Sequence, residues 1–248
     1  MNRIDQRFAA LRETGKPAFV AYVAAGDPDL DRCLDILSAL EQAGADIIEL
    51  GVPFSDPMAD GIVNQMAAHR ALEAGATTRG VLDLVRRFRE TSHTPVVLFT
   101  YLNPVYAYGF AKFHADAAAA GADGILLLDL PPDEAGHNAE LTDGGELRHI
   151  RLIAPTTPAE RIPQLAAAAE GFVYYVSREG VTGAQTSLAE GIAENVATIK
   201  AHTSVPVVVG FGISTPEQAA AVGRASDGVV VGSAIVREIE RHGASPDL

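Results

Sequence analysis

Two carboxylates and three glycine-bearing turns are the features of this chain whose residue types and spacing carry chemistry. Glu49 lies inside the apolar run Ile47-Ile48-Glu49-Leu50. Branched side chains in sequence, with no polar alternation, read as a short strand covered on both faces. A carboxyl held there is desolvated, its pKa rises, and it can both give and take a proton near neutral pH. The loop that follows, Gly51-Val52-Pro53-Phe54-Ser55-Asp56-Pro57-Met58-Ala59, is shaped by glycine and two prolines and returns Asp60 toward the strand end. Two acids in one cleft with different surroundings divide acid and base work between them. A lone acid in a strand is more often an edge residue or half of an ion pair, so Glu49 needs this company.

The glycine turns point to an anion. Gly210-Phe211-Gly212-Ile213-Ser214 and Gly232-Ser233-Ala234-Ile235-Val236 each follow an apolar strand-like run, and Gly180-Val181-Thr182-Gly183-Ala184 follows a third. Glycine there lets backbone amides approach an oxyanion, and Ser233 is placed to cap a helix whose free N–H groups face the ligand. One Gly-x-Gly is an ordinary turn; two at successive strand ends make a phosphate cradle, and this one needs no lysine or arginine.

The elements that must position these residues alternate regularly. Strands read at Ala18–Val23, Asp46–Leu50, Pro95–Tyr101, Gly124–Leu128, His149–Ile153, Phe172–Val176, Val205–Val209 and Gly228–Val231. Helical periodicity falls between them: from Gly26-Asp27-Pro28-Asp29 to about Ala43, over 62–74, 78–91 and Phe110–Ala120, in part over 133–147, after Pro158, up to Lys200, and after Thr215-Pro216. The stretch Ser177–Ser187 reads as a loop. Ala43-Gly44-Ala45-Asp46 and Ala120-Gly121-Ala122-Asp123 echo one another before two strands, with Ser226-Asp227-Gly228 as a weaker copy. Eight such units joined by right-handed crossovers close into one (β/α)8 barrel over 1–248, with Ile4, Phe8 and Leu11 on an extra N-terminal helix that plugs one end. A doubly wound open sheet is the alternative, but Ala24-Ala25-Gly26-Asp27-Pro28 is no dinucleotide fingerprint.

Composition excludes several classes. Nineteen basic against 32 acidic residues give a net charge of −13, which disfavours nucleic acid and anionic membranes as partners. The only cysteine, Cys33, shares an apolar helical face with Leu30, Leu34 and Leu37, so it reads as a core thiol. No signal-peptide pattern or membrane-length apolar run is present, which points to the cytoplasm. Lys16, Lys112 and Lys200 all lie away from C-terminal strand ends, so Schiff-base chemistry is not expected. The seven histidines are scattered with no pair at ligand spacing, which argues against a catalytic metal. Carboxylate acid–base work on a phosphorylated substrate remains.

Ile48 to Gly61 resembles the signature of the tryptophan synthase alpha chain family. Tyr101-Leu102-Asn103-Pro104, Leu128-Asp129-Leu130-Pro131, Ser177–Ala184, Gly210–Ser214 and Gly232–Val236 resemble its other blocks in the same order, over nearly the whole chain. The resemblance implies cleavage of indole-3-glycerol phosphate to indole and glyceraldehyde 3-phosphate, a retro-aldol reaction in the synthesis of tryptophan. It implies that Glu49 protonates indole C3 and takes the proton of the glycerol hydroxyl, while Asp60 accepts the indole N–H. It implies that Tyr174, Gly183, Gly212, Gly232 and Ser233 hold the phosphoglycerol end, that Tyr22, Thr182 and Phe211 border the indole, and that 177–187 is a lid. It further implies no cofactor on this chain. A β chain carrying pyridoxal phosphate would meet Pro53–Asp56 and the Asn103-Pro104 region in an α2β2 heterotetramer.

Two positions depart from that family's pattern: Ile62 stands where proline is usual, and Asn64 where an aliphatic residue is customary. The run Ala244-Ser245-Pro246-Asp247-Leu248 falls where the family continues into one more helix, so a missing C-terminal helix is expected. Two rival readings remain: a non-catalytic partner that activates a β chain, and another phosphate-binding barrel such as a sugar-phosphate isomerase.

Overall fold

The structure, a computed structural model, describes residues 1–131, 145–177, 185–210 and 212–245, and for 185–190 the backbone alone. Eight parallel strands close in sequence order: β1 (Ala18–Ala24), β2 (Ile47–Gly51), β3 (Val96–Thr100), β4 (Gly124–Leu127), β5 (Arg148–Ile153), β6 (Val173–Val176), β7 (Val207–Gly210) and β8 (Gly228–Val231), with β8 pairing back onto β1. The described helices are α1 (Arg3–Thr14), α2 (Leu30–Gln42), α3 (Ile62–Glu73), α4 (Thr78–Arg89), α5 (Leu102–Tyr108), α6 (Phe110–Ala120), α7 (Ile162–Ala167), α8 (Gln185–Lys200), α9 (Pro216–Ala225) and α10 (Ser233–His242). This is the (β/α)8 barrel with its extra N-terminal helix.

Side-chain alternation along the strands sorts the core into an inside and an outside. Val20 and Tyr22 of β1, Ile47 of β2, Val97 of β3, Leu126 of β4, Ile150 of β5, Tyr174 of β6, Val208 of β7 and Val230 of β8 share one cluster. Ile4, Phe8 and Leu11 of α1 belong to it too, so the helix does plug the barrel. The intervening residues, such as Ile48, Leu50, Leu98 and Ile125, pack outward against α2, α4 and α6.

Local signals work as the sequence indicates. Asp29 caps α2 by accepting the N–H groups of Asp31 and Arg32, and Thr215 with Gln218 forms a capping box at α9. Some boundaries differ. α5 is absent from the sequence reading; Pro104 sits in its first turn, where a missing N–H is harmless. α8 begins at Gln185, inside the stretch read as a loop to Ser187. Pro158 opens a short 3-10 turn, Ala159–Arg161, before α7. Of the helix read over 133–147, residues 133–144 lie outside the described ones, and Gly145 to Leu147 are not helical. The last described helix is α10, which packs on α3 and β1.

The internal echo has a physical basis. Asp46, just before β2, accepts the backbone N–H of Phe19 in β1 at 2.6 Å. Asp123, before β4, accepts that of Val96 in β3 at 2.9 Å, and Asp227, before β8, that of Val207 in β7 at 2.8 Å. Glu170, near the start of β6, does the same for His149 in β5 at 3.0 Å, completing a fourfold pattern of which the sequence showed three members. The aspartates are also ion-paired: Asp46 with Arg7, Asp123 with Arg3 and Arg89, Asp227 with Lys200. These acids tie the start of each even-numbered strand to that of the strand before it at the N-terminal face, leaving the opposite face for chemistry.

Candidate active site

Glu49 is the third residue of β2 and shares the inward parity of Ile47 and Gly51. It pairs with Tyr22 on one side and Val97 on the other. Its side chain is 0 % exposed, and neither carboxyl oxygen has a hydrogen-bond partner among the described residues. Burial alone drives its pKa from the ordinary carboxylate range up to about 8. A buried, unpaired acid is expensive for a fold, and native proteins tolerate few without a use for them.

Asp60 returns to the same end of the barrel, as the loop chemistry implies. Tyr101, immediately after β3, donates its hydroxyl to Asp60 Oδ2 at 2.7 Å and accepts the Ala59 N–H at 3.0 Å. Gln65 Nε2 holds the Asp60 carbonyl at 2.8 Å. Burial raises the Asp60 pKa, while hydrogen bonds from Tyr101 and Asn64 pull it back. The two acids differ in their surroundings: Glu49 is buried with no hydrogen-bond partner among the described residues, while Asp60 is half-buried and held by Tyr101. Both lie close enough to Tyr22 and Tyr174 to push the phenol pKa values up beyond what burial does.

The tyrosines are seated by glycines. A Cβ on Gly51 would lie 2.5 Å from the Tyr22 hydroxyl, and one on Gly210 2.3 Å from that of Tyr174. Phe99 stands between the rings, edge-on to Tyr22 at 5.1 Å and tilted to Tyr174 at 6.4 Å. Gly210, read from sequence as an anion-approach residue, is thus required first by Tyr174. Gly212 has φ 78°, a left-handed conformation natural to glycine. Gly232 abuts Tyr22, and a Cβ there would fall 3.4 Å from the ring. Gly232, and not Ser233, is the N-cap of α10; Ser233 is the first helical residue and makes no capping bond. The helix start still carries free N–H groups at the strand end, so the correction moves the cap by one residue. Thr182, Gly183 and Phe211 lie outside the described residues.

Tyr101 and Phe99 are not among the site residues expected from the sequence. Phe99 lies near the C-terminal end of β3, opposite Gly51 of β2, and Tyr101 follows directly after the strand; that end of the barrel was the available signal. Among the described residues no cluster of three metal-ligating side chains exists. None of the described helices is long and apolar enough to cross a membrane.

The family model for the tryptophan synthase alpha chain matches residues 8–247. The chain belongs to the tryptophan synthase alpha chain family. The alpha chain of Citrifermentans bemidjiense is 51% identical over 242 residues, covering 98% of this chain and 91% of that one. That of Opitutus terrae is 50% identical over 247 residues, covering 100% and 93%. Among solved structures, the tryptophan synthase alpha subunit of Legionella pneumophila superposes with a TM-score of 0.89 at 42% identity, covering 97% of this chain and 90% of that one. Tryptophan synthase from M. tuberculosis gives 0.87 at 35%, covering 98% and 93%. As a member of the tryptophan synthase alpha chain family, the chain is a lyase of the alpha reaction in tryptophan biosynthesis. In that family's frame Ile62 is the first residue of α3, after the N-cap Gly61, a position that suits proline and tolerates isoleucine.

Proposed function

We propose that this chain cleaves indole-3-glycerol phosphate with Glu49 as the proton carrier and Asp60 as the electrostatic partner of the ring nitrogen. The observation that carries the reading is the Glu49 carboxyl, fully buried and without a hydrogen-bond partner among the described residues. With a pKa near 8 it is mostly protonated at neutral pH. It can therefore deliver a proton to indole C3, which turns the ring into a cation centred on the nitrogen. Asp60, accepting the N–H, stabilises that charge. The Glu49 carboxylate then removes the proton of the adjacent glycerol hydroxyl. The carbon–carbon bond breaks, its electrons return to the ring, and indole and glyceraldehyde 3-phosphate leave with Glu49 reprotonated. One acid serves twice because its pKa is matched to neutral pH.

Tyr174, Gly212, Gly232 and Ser233, together with Gly183, hold the phosphoglycerol end in this reading, and Tyr22, Thr182 and Phe211 border the ring. The free N–H groups at the start of α10 and the left-handed turn at Gly212 support an uncharged cradle of backbone donors. The chain needs no cofactor of its own, since both proton steps fall to one side chain.

A β chain carrying pyridoxal phosphate completes the assembly as an α2β2 heterotetramer in the cytoplasm. Four of the exposed apolar side chains support that partner: Met58, Ile62, Met66 and Tyr106 are 91%, 68%, 45% and 76% accessible. They lie on the β2–α3 loop, α3 and α5, which the Phe54–Tyr101 ring contact at 5.4 Å ties together. An apolar surface of this kind marks a protein interface.

Incubation with indole-3-glycerol phosphate, with and without a β chain, tests the whole reading. Stoichiometric indole and triose phosphate are expected, with stimulation by the partner. Absence of turnover in both arms would leave a non-catalytic partner as the better description.

A further inference from the structure

Of the two aspartates in the turn Gly26-Asp27-Pro28-Asp29, Asp29 caps α2 and Asp27 turns elsewhere. Asp27 follows β1 at the C-terminal face and is 2% exposed; among the described residues, it and Glu49 are the buried acids at that end. Arg70, in the last turn of α3, grips it with a full fork: Nε donates to Oδ1 at 2.9 Å and Nη2 to Oδ2 at 2.8 Å. The remaining arm, Nη1, donates to Glu240 Oε1 of α10 at 2.9 Å. One guanidinium thus joins the β1–α2 turn, α3 and α10. Packing repeats the junction. A Cβ on Gly26 would lie 3.6 Å from that of Ala71 in α3 and 2.8 Å from that of Ala76 just beyond it. Arg32 of α2 donates to the Gly243 carbonyl at the end of α10 at 3.2 Å. Ala67 of α3 and Val236 of α10 share the buried cluster of Tyr22 and Ala24.

The two helices so tied begin at opposite ends of the proposed substrate site. α3 opens two residues after Asp60, and its Gln65 holds the Asp60 carbonyl. α10 opens at Ser233, behind the N-cap Gly232. We infer that Arg70 is a positioning residue that fixes the span between the ring end of the site, carried by α3, and the phosphate end, carried by α10. It acts through Asp27 and Glu240 rather than on the substrate. A helix of this length moves as one body, so a slip of α3 against α10 at Arg70 changes the separation of their N-termini. Arginine suits the place because its planar donors serve two carboxylates at once, whereas a lysine ammonium is a point charge without that fork. The inference rests on the site proposed above.

The test compares wild type, Arg70→Lys and Glu240→Ala. It sets turnover of indole-3-glycerol phosphate, which spans both ends, beside the binding of glycerol 3-phosphate and of indole, each of which fills one end. Arg70→Lys keeps a positive charge for the buried Asp27 and loses the fork. Misplacing reacting groups by about 1 Å costs up to about a hundredfold, so its kcat/KM should fall by roughly ten- to a hundredfold. Both fragments should bind within about twofold of wild type, because neither feels the span. Glu240→Ala cuts only the half-exposed tie to α10 and leaves Asp27 paired, so it keeps the fold even where Arg70→Lys does not. Its kcat/KM should fall by roughly two- to fivefold, again with unchanged fragments. A merely structural ion pair would lower the melting temperature and nothing else. Wild-type kcat/KM in either folded variant, or fragment binding weakened in step with turnover, would overturn the inference while leaving the proposed function standing. A wild type without turnover, alone and with a β chain, would instead remove the proposed function and this inference with it.

Discussion

The Tyr101 hydroxyl is shared between the Asp60 carboxyl, to which it donates at 2.7 Å, and the Ala59 N–H, which it accepts at 3.0 Å. One phenol thus fixes both the side chain and the backbone of the loop that delivers the second acid. Tyr101→Phe keeps the ring packing against Phe54 and loses both bonds. Its kcat should fall by roughly tenfold or more, the loss of about one charge-assisted hydrogen bond. Affinity for a phosphate-bearing ligand without the ring should hold. Steady-state kinetics with indole-3-glycerol phosphate, beside the binding of glycerol 3-phosphate, separates the two effects.

Glu49→Gln should lower kcat by roughly 10²–10⁴-fold, the usual contribution of a positioned general acid–base. The same variant carries a stability signature. The wild-type carboxyl titrates near 8 when folded, against an ordinary value of 4.5. Between those values the folded state binds the extra proton, so stability falls as pH rises through the window. Glutamine has no such dependence. The melting temperature of Glu49→Gln relative to wild type should climb from pH 5 to pH 8, as differential scanning calorimetry would record. A flat difference would mean that Glu49 ionises at an ordinary pKa.

At the proposed phosphate end, Gly212→Val places a branched side chain on a backbone with φ 78° and should raise KM strongly. Gly210→Ala drives a methyl to within 2.3 Å of the Tyr174 hydroxyl and should displace that ring. Ser233→Ala changes only a hydroxyl at the helix start and should raise KM more mildly. If KM for indole-3-glycerol phosphate is the same in all three, the anion does not sit there.

Asp123 offers a test of the strand-start belt that leaves the chemistry alone. It is 2% exposed, pairs with Arg3 and Arg89, and accepts the Val96 N–H. Asp123→Ala strands a largely buried guanidinium and an amide, and should cost about 3 kcal/mol of unfolding free energy. Urea denaturation measures that loss, and kcat under folding conditions should be unchanged.

His149 gives the opposite pH signature to Glu49. Burial, the stacked His114 ring at 5.3 Å and nearby Arg151 push its pKa down to about 4. The unfolded chain takes up the proton first, so stability is lost as pH falls from about 6.5 toward 4. His149→Phe should flatten that stretch of a melting-temperature profile against pH.

Much of this molecule is written in its local sequence. Apolar runs of strand length, the Asp29 and Thr215 caps and the closing glycines depend on neighbours within a few residues, and these placed most elements to within a residue or two. The acid in a buried run, and the proline-bound loop returning a second acid, marked Glu49 and Asp60 for the same reason. Tertiary structure alone decided which groups meet across the barrel. Tyr101 reaches Asp60 from just past the end of β3, Gly51 and Gly210 are glycines because tyrosines on neighbouring strands need the room, and Glu170 joins the acid belt without sharing its motif. Those contacts are set by strand register and barrel closure, which bring together residues whose separation along the chain carries no signal of their meeting.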